Sequence, residues 1–438
     1  MKILYNDRKE RLNWGARSTG KALYQLIAQK HEIISEFDRP IYVTSSTYDS
    51  WSRKILSQYN YFIVKWAITA LRFFVSWFTD LTKANVIVFD DVDKTAEAIL
   101  KYQDEEPYLK KIISDLKIAD ALVINGEGSM IFGNPTRAEL FFFFALLNIA
   151  KSYGKKTFYI NAIASQNSVT DFNATEFEAF KKHIIGCDKI IVRDPVSFNF
   201  LKERDIKDNL LYCPDSLFAW FKYIEQGLQK PFIGDTIVPF PDKINDYGVF
   251  DFSQPYICVG GSSYFLDSGR PEIYSANSEK RKITINNYVR LVEKLKTLGK
   301  KVFLIESCDR DDFLWEVSQA TQTPIIPTRI NLIQAISILA NAEVFISGRY
   351  HPTIMASLGG TPCILLDSNS HKTYSIQLLL EYKEPKIYHP ELSDEIIEYI
   401  YNDCQALLLE GTHLREKIKT RVKQLSINAQ KIVDYLDA

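Results

Sequence analysis

No surplus of either charge exists in this chain of 438 residues: 53 Lys and Arg stand against 54 Asp and Glu, a formal net charge of −1. A general nucleic-acid binder needs excess cations to neutralise phosphates, so no nucleic-acid partner is expected. The six cysteines form no CxxC pair and mostly fall in or beside apolar runs. They read as reduced, buried thiols of a cytoplasmic protein, at spacings that offer no zinc site. The opening residues MKILYNDRKERLNWG lack the apolar core of a secretory leader, so no signal peptide is expected. Low-complexity tracts are absent, and so is an uninterrupted apolar run of bilayer length. The nearest approach, YFIVKWAITALRFFVSWF at 61–78, carries Lys65 and Arg72 in a polar stripe with Thr69 and Ser76. Two central cations oppose spanning. The segment is expected either to lie in the interface at the inner face of a membrane or to pack as a helix against protein.

What is present is a pattern, repeated twice. Apolar runs read as strands at KILY (2–5), NVIVF (85–89), ALVIN (121–125), TFYIN (157–161) and KIIVR (189–193). A second set lies at YICVG (256–260), KVFLIE (301–306), EVFIS (343–347) and CILLD (363–367). Helical stretches lie between them, among them 19–30, 138–154, 175–186, 283–299 and 331–342. Continuous apolar strands alternating with helices indicate parallel sheets covered on both faces. The fold class is therefore α/β: two doubly wound, Rossmann-like domains facing across a cleft. The expected division is 1–230 with an insertion at 45–105, then 250–395, then C-terminal helices at 396–438. A Pro-, Gly- and Asp-rich crossover at 229–255 joins the two domains. The helical tail has two possible seats, on the second domain or back on the first.

In open α/β sheets ligands bind beyond the carboxyl ends of the strands, so the residues just past each strand decide function. After ALVIN comes the Gly-rich stretch NGEGSMIFGNPTR, read as a turn. Gly126 and Gly128 let the backbone approach a ligand, with Asn125 and Ser129 beside them and amides that could form an anion nest, and Glu127 is a candidate base or hydroxyl-binding group; a turn required only by geometry is the competing reading. After the first strand, RLNWGARSTGKAL puts Asn13 and Arg17 in a polar loop that suits an acceptor or a phosphate. Arg193 ends KIIVR, where a functional role and a salt bridge are equally compatible with the sequence, and Asp194 and Asp215 read as helix caps. The densest signal is SGRYHPTIMASLGGTPCILLDSNSHKTYS (347–375). There Ser347 and Gly348 end a strand, and Arg349 offers a planar fork suited to carboxylate or phosphate. His351 can exchange a proton near neutral pH, and Lys372 returns to the same rim after the next strand. His371 reads as a neighbour only.

SGRYHPTIMASLGGTPCILLDSNSHKT, with IIVRDPVSFNFLKE, CPDSLFAW and INGEGS in support, resembles the polysaccharide pyruvyl transferase family. The resemblance covers about 120–375, and the family is similar in fold to two-domain glycosyltransferases of the B type (GT-B). It implies phosphoenolpyruvate as donor substrate, with no cofactor and no metal. The enolpyruvyl group would become a ketal on a sugar of a surface polysaccharide, capsule or exopolysaccharide, or of its lipid-linked precursor. On this reading Arg349, Lys372 and Arg193, with Ser347 and Gly348, hold the donor, and His351 is the general acid and base. The chain departs from the family where Asn125-Gly126-Glu127-Gly128 replaces a run of glycines, and around 45–105. The alternatives are a nucleotide-sugar glycosyltransferase gripping its donor through GGSSYF, RYH and Asp309, Asp311 and Asp312, and a silent scaffold.

Overall fold

The computed structural model describes residues 1–7, 12–38, 87–133, 136–167, 172–227, 252–266 and 278–437. Two parallel six-stranded sheets organise them. The first contains β1 (Lys2–Asn6), β2 (Glu32–Phe37), β3 (Ala121–Phe132), β4 (Lys156–Gln166), β5 (Lys189–Val192) and β6 (Leu210–Tyr212), in the order β2-β1-β3-β4-β5-β6. The second contains β7 (Tyr256–Ser262), β8 (Lys301–Ile305), β9 (Ile325–Ile326), β10 (Val344–Gly348), β11 (Cys363–Leu366) and β12 (Ile387–Tyr388), in the order β12-β11-β10-β7-β8-β9. Each order reverses once, between β1 and β3 and between β7 and β10, and such a reversal opens a crevice at the strand ends.

Buried faces explain the helices. Ala138–Ser152 is apolar nearly all round, and from Glu139 to Leu147 every residue is buried. A helix of that kind must be enclosed on most sides. It packs on β3 and β4, with Phe144 stacked on Tyr159 at 5.1 Å between ring centroids. On the other face of the first sheet, Leu23 and Leu26 of the helix Trp14–Ile27 share a cluster with Ile3, Tyr5 and Ile160.

Three expectations need correction. NVIVF is no strand where it is described. Residues 87–89 are irregular and lead to the Asp91 cap of the helix Val92–Tyr102, while 85–86 lie outside the described residues, as does 61–78. A strand the sequence did not announce, EIISEF, lies beside β1 as a half-exposed edge whose polar residues mask its periodicity. The Gly-rich stretch after ALVIN is no turn either. β3 continues to Phe132, and a register shift between Glu127 and Met130 absorbs the irregularity. Finally, the polar loop at Asn13–Thr19 is mostly helix, entered at Trp14.

That helix ties the two halves together. Trp14 is fully buried and donates through Nε1 to Thr328 O at 2.8 Å, while its backbone N–H donates to Ser307 O at 2.9 Å. Asp309 N donates to Leu12 O at 2.9 Å, closing the seam from the other side. The tail uses both seats. Ile397, Ile400 and Cys404 of the helix Asp394–Ala429 pack on the second sheet, and Ile432, Val433 and Leu436 then pack beside Ile3 and Leu23 of the first.

Candidate functional site

The strand ends of the two sheets meet across this seam, and the polar side chains gathered there are nearly all buried. Arg193, one residue past β5, is 1% exposed. Its Nη1 donates to Asp215 Oδ2 at 3.0 Å and lies 3.0 Å from His351 Nε2, and its guanidinium lies 4.5 Å from the centroid of the Tyr350 ring. His351 Nε2 stands 3.2 Å from the same Asp215 oxygen. Asp215 Oδ1 accepts from Leu217 N and from Thr19 Oγ1, both at 2.9 Å. So Asp215 is a cap, as its sequence context indicates, and also the anchor of an Arg–His pair contributed by both domains. Burial would raise this carboxyl, but His351 and Arg193 outweigh it and hold it at about 2.

The opposite nitrogen of His351 faces the first domain. Nδ1 lies 3.9 Å from Glu127 Oε1. Gly15 lets the ring approach, because a Cβ there would sit 2.5 Å from Nδ1. Glu127 itself adopts φ +41, a left-handed conformation that costs a side-chain-bearing residue about 1 kcal/mol. Glycine would relieve that strain at no steric cost, yet the position keeps a carboxylate beside the histidine.

Arg349 has a different anchor. Nη2 meets Asp311 Oδ1 at 2.5 Å, and Asp311, fully buried, also accepts from Ser307 Oγ at 3.2 Å. Burial pushes the Asp311 carboxyl up, against the pull of Arg349 and Ser307. Ser347 and Gly348 set the backbone under this arginine. Ser347 Oγ donates to Gly261 O at 2.8 Å and accepts from Arg349 N at 3.2 Å. A Cβ on Gly348 would fall 2.7 Å from Asp367 O, so the glycine is there for close packing of strand ends.

Lys372 opens the helix Lys372–Leu379, and its Nζ has no hydrogen-bond or ion-pair partner among the described residues. Desolvation and the positive fields of Arg137 and Arg193, opposed by Glu127 and reinforced by Arg349, push this ammonium down to about 7. Four cationic side chains from two domains thus converge; Asp215 and Asp311 pair with Arg193 and Arg349, and Glu127 opposes the downward shift at Lys372.

Glu127, Arg193, Arg349, His351 and Lys372 come together as expected. Others sit at the margin with structural partners. Asn13 caps its helix through Ala16 N, and Arg17 Nη1 donates to Thr328 O at 3.2 Å across the seam. Asn125 accepts from Asn161 Nδ2 at 3.3 Å, and Ser129 Oγ is fixed by Gly126 O and the Tyr159 hydroxyl. Gly126 admits the Tyr159 ring, which a Cβ would meet at 2.5 Å, whereas Gly128 faces open space and lends its carbonyl to Arg137 Nη1 at 2.7 Å. The sequence reading missed Arg137, which carries no motif of its own, and the ion-pairing roles of Asp215 and Asp311. It also passed over His371, which lies 3.1 Å from Asp194.

A family model described as polysaccharide pyruvyl transferase matches residues 18–370. This chain belongs to that family. No curated protein matches it. Among solved structures, a UDP-GlcNAc 2-epimerase from Neisseria meningitidis bound to UDP-GlcNAc is similar at TM-score 0.53 and 12% identity, over 100% of this chain and 99% of that one. The Staphylococcus aureus MnaA–UDP co-structure is similar at TM-score 0.51 and 9% identity, over 100% and 98%. The UDP-GlcNAc 2-epimerase of Methanocaldococcus jannaschii gives TM-score 0.50 and 12% identity, over 97% and 99%. These likenesses show the fold alone, the two-domain GT-B architecture. Family membership makes the chain a transferase acting on polysaccharide. Among the described residues no helix is long and apolar enough to cross a membrane.

Proposed function

We propose that this pyruvyl transferase moves the enolpyruvyl group of phosphoenolpyruvate onto two hydroxyls of a sugar, in a surface polysaccharide or its lipid-linked precursor. The observation that carries the reading is the gathering of Lys372 with Arg137, Arg193 and Arg349 at the strand ends of both domains, where no side chain among the described residues is hydrogen-bonded or ion-paired to the Lys372 ammonium. Phosphoenolpyruvate brings a carboxylate and a phosphate on a three-carbon frame. It would supply the missing negative charge, with Arg349, Arg193 and Lys372 as its ligands and Ser347 and Gly348 shaping the floor.

The chemistry is set by where protons must go. The CH2 carbon of the donor takes a proton, positive charge develops on the carbon bearing oxygen, and one sugar hydroxyl adds there as it loses its own proton. Phosphate leaves with the C–O electron pair and a proton, and the second hydroxyl closes the ketal. One residue that both gives and accepts a proton serves these steps. We assign that role to His351, whose Nδ1 side faces Glu127, with Glu127 as the base nearest the acceptor. The acceptor would approach from the first domain, along Asn125, Gly126, Gly128 and Ser129, and past Asn13 and Arg17. The scheme uses no cofactor and no metal.

A nucleotide sugar is the competing donor. Two of the carboxylates it would need are already engaged, Asp311 by Arg349 and Asp312 by Arg281 at 3.3 Å. The test is protection against thermal unfolding. Phosphoenolpyruvate at a hundred times its dissociation constant should stabilise the protein by about 2.7 kcal/mol, while UDP, UDP-sugars and free nucleotides leave the midpoint unchanged. Protection by a nucleotide alone would overturn the donor assignment.

A further inference from the structure

A second histidine crosses the cleft beside His351. His371 Nε2 lies 3.1 Å from Asp194 Oδ1 and 3.1 Å from Ser197 Oγ. Asp194 is fully buried, caps the helix Pro195–Lys202 through Ser197 N at 2.9 Å, and accepts from Ser197 Oγ at 2.7 Å with its other oxygen. Burial would raise this carboxyl, but His371 and Ser197 outweigh it and hold it below the usual carboxylate range. Neither partner enters the chemistry above.

The place of His371 in its own domain gives the contact a consequence. Its carbonyl accepts from Tyr374 N at 2.9 Å and from Ser375 N at 2.8 Å, so His371 and Lys372 belong to one helical turn and move together. Ser368 Oγ braces that turn, donating to Ser370 O at 2.6 Å and meeting Thr373 Oγ1 at 3.2 Å. Lys372, by contrast, has a flexible stem and no side-chain partner among the described residues, so only its backbone aims it. The cations it faces, Arg137 and Arg193, belong to the first domain, while Arg349 belongs to its own.

We propose that His371 is a positioning residue: its bond to Asp194 across the cleft holds the first turn of the helix Lys372–Leu379, so that the Lys372 ammonium completes the anion site only when the two domains are closed together. The anion site is then a product of closure, and a bound donor and the His371–Asp194 contact stabilise the same closed state. This rests on the donor reading above.

Binding of phosphoenolpyruvate is to be measured by calorimetry at pH 8 for wild type, His371→Ala, His371→Gln and Asp194→Asn, with small-angle scattering of the free proteins. Loss of a hydrogen bond to a buried charge should weaken the donor in His371→Ala about ten- to a hundredfold. His371→Gln, whose amide can still donate to Asp194, should recover most of that affinity. Asp194→Asn keeps on Oδ1 both the helix cap and a neutral acceptor for His371 but loses the charge, so it should weaken the donor less than His371→Ala. The radius of gyration of His371→Ala should exceed that of wild type and of His371→Gln. Unchanged affinity in His371→Ala, or no rescue by Gln, overturns the proposal. If wild type ignores phosphoenolpyruvate altogether, the donor reading falls by itself. Scattering then decides the latch, and equal radii for His371→Ala and wild type would reject it.

Discussion

Arg349→Ala is expected to lower the stability of the fold by roughly 3 to 5 kcal/mol and to abolish protection by phosphoenolpyruvate. The first effect arises because Asp311, fully buried, loses its cationic partner and, among the described residues, keeps the Ser307 Oγ bond alone. An uncompensated carboxylate at that depth must either remain charged at high cost or take up a proton. Burial already pushes it toward the second course. The two effects separate in the double variant Arg349→Ala with Asp311→Asn. Replacing the carboxylate by an amide should restore most of the lost stability, because nothing charged is left stranded. Donor binding should stay absent, because the guanidinium fork that would hold the anion is still missing. Urea unfolding of the three proteins, then the thermal midpoint with and without phosphoenolpyruvate, reads both quantities. Donor protection in the double variant equal to wild type would show that Arg349 serves the fold alone.

His351→Gln should leave the donor bound and stop its conversion. Glutamine can meet Asp215 where imidazole Nε2 now stands, so the Arg193–Asp215 pair keeps a third partner and the fold is little disturbed. It cannot take and return a proton. A positioned general acid or base contributes on the order of 10²- to 10⁴-fold, and phosphate release in the presence of an acceptor-bearing glycolipid extract should fall by that factor. The same variant should still be protected by phosphoenolpyruvate to the wild-type extent. Loss of protection with turnover retained at saturating donor would place His351 among the binding groups and leave the proton transfers to Glu127.

Much of this site is legible in the sequence, because strand ends can be located from apolar runs and the residues next to them are few. Arg349, His351 and Lys372 stand at the ends of EVFIS and CILLD, two of the cleanest such runs, and they do converge. Where periodicity is weak the reading fails. EIISEF is a half-exposed edge strand, so its polar residues break the apolar run that would announce it. The bulge that lets β3 pass through Gly126-Glu127-Gly128 looks like a turn because both features use glycine. Pairings across the cleft are the least legible of all. Asp215 and Asp194 each satisfy a helix start nearby, which is a sufficient local reason for an aspartate. Their second partners, His351 and His371, come from more than a hundred residues away, and only the docking of two domains brings them close. Arg137 belongs to the same class, a first-domain cation whose purpose appears only when Lys372 arrives from the second.

Proton uptake on donor binding tests the central claim most directly. With its ammonium pushed down to about 7, Lys372 is mostly neutral at pH 8 in the free protein. A bound anion favours the charged form and raises that value, so Lys372 takes a proton from solvent as the donor enters. The donor's own phosphate, with a second pKa near 6, is already fully ionised at pH 8 and adds nothing. Calorimetry of phosphoenolpyruvate binding in two buffers of different ionisation enthalpy should therefore give uptake of about one proton per donor at pH 8. Lys372→Met should bind weakly and show no uptake. Tight binding with no proton taken up, unchanged in Lys372→Met, would mean that the donor does not sit among these four cations.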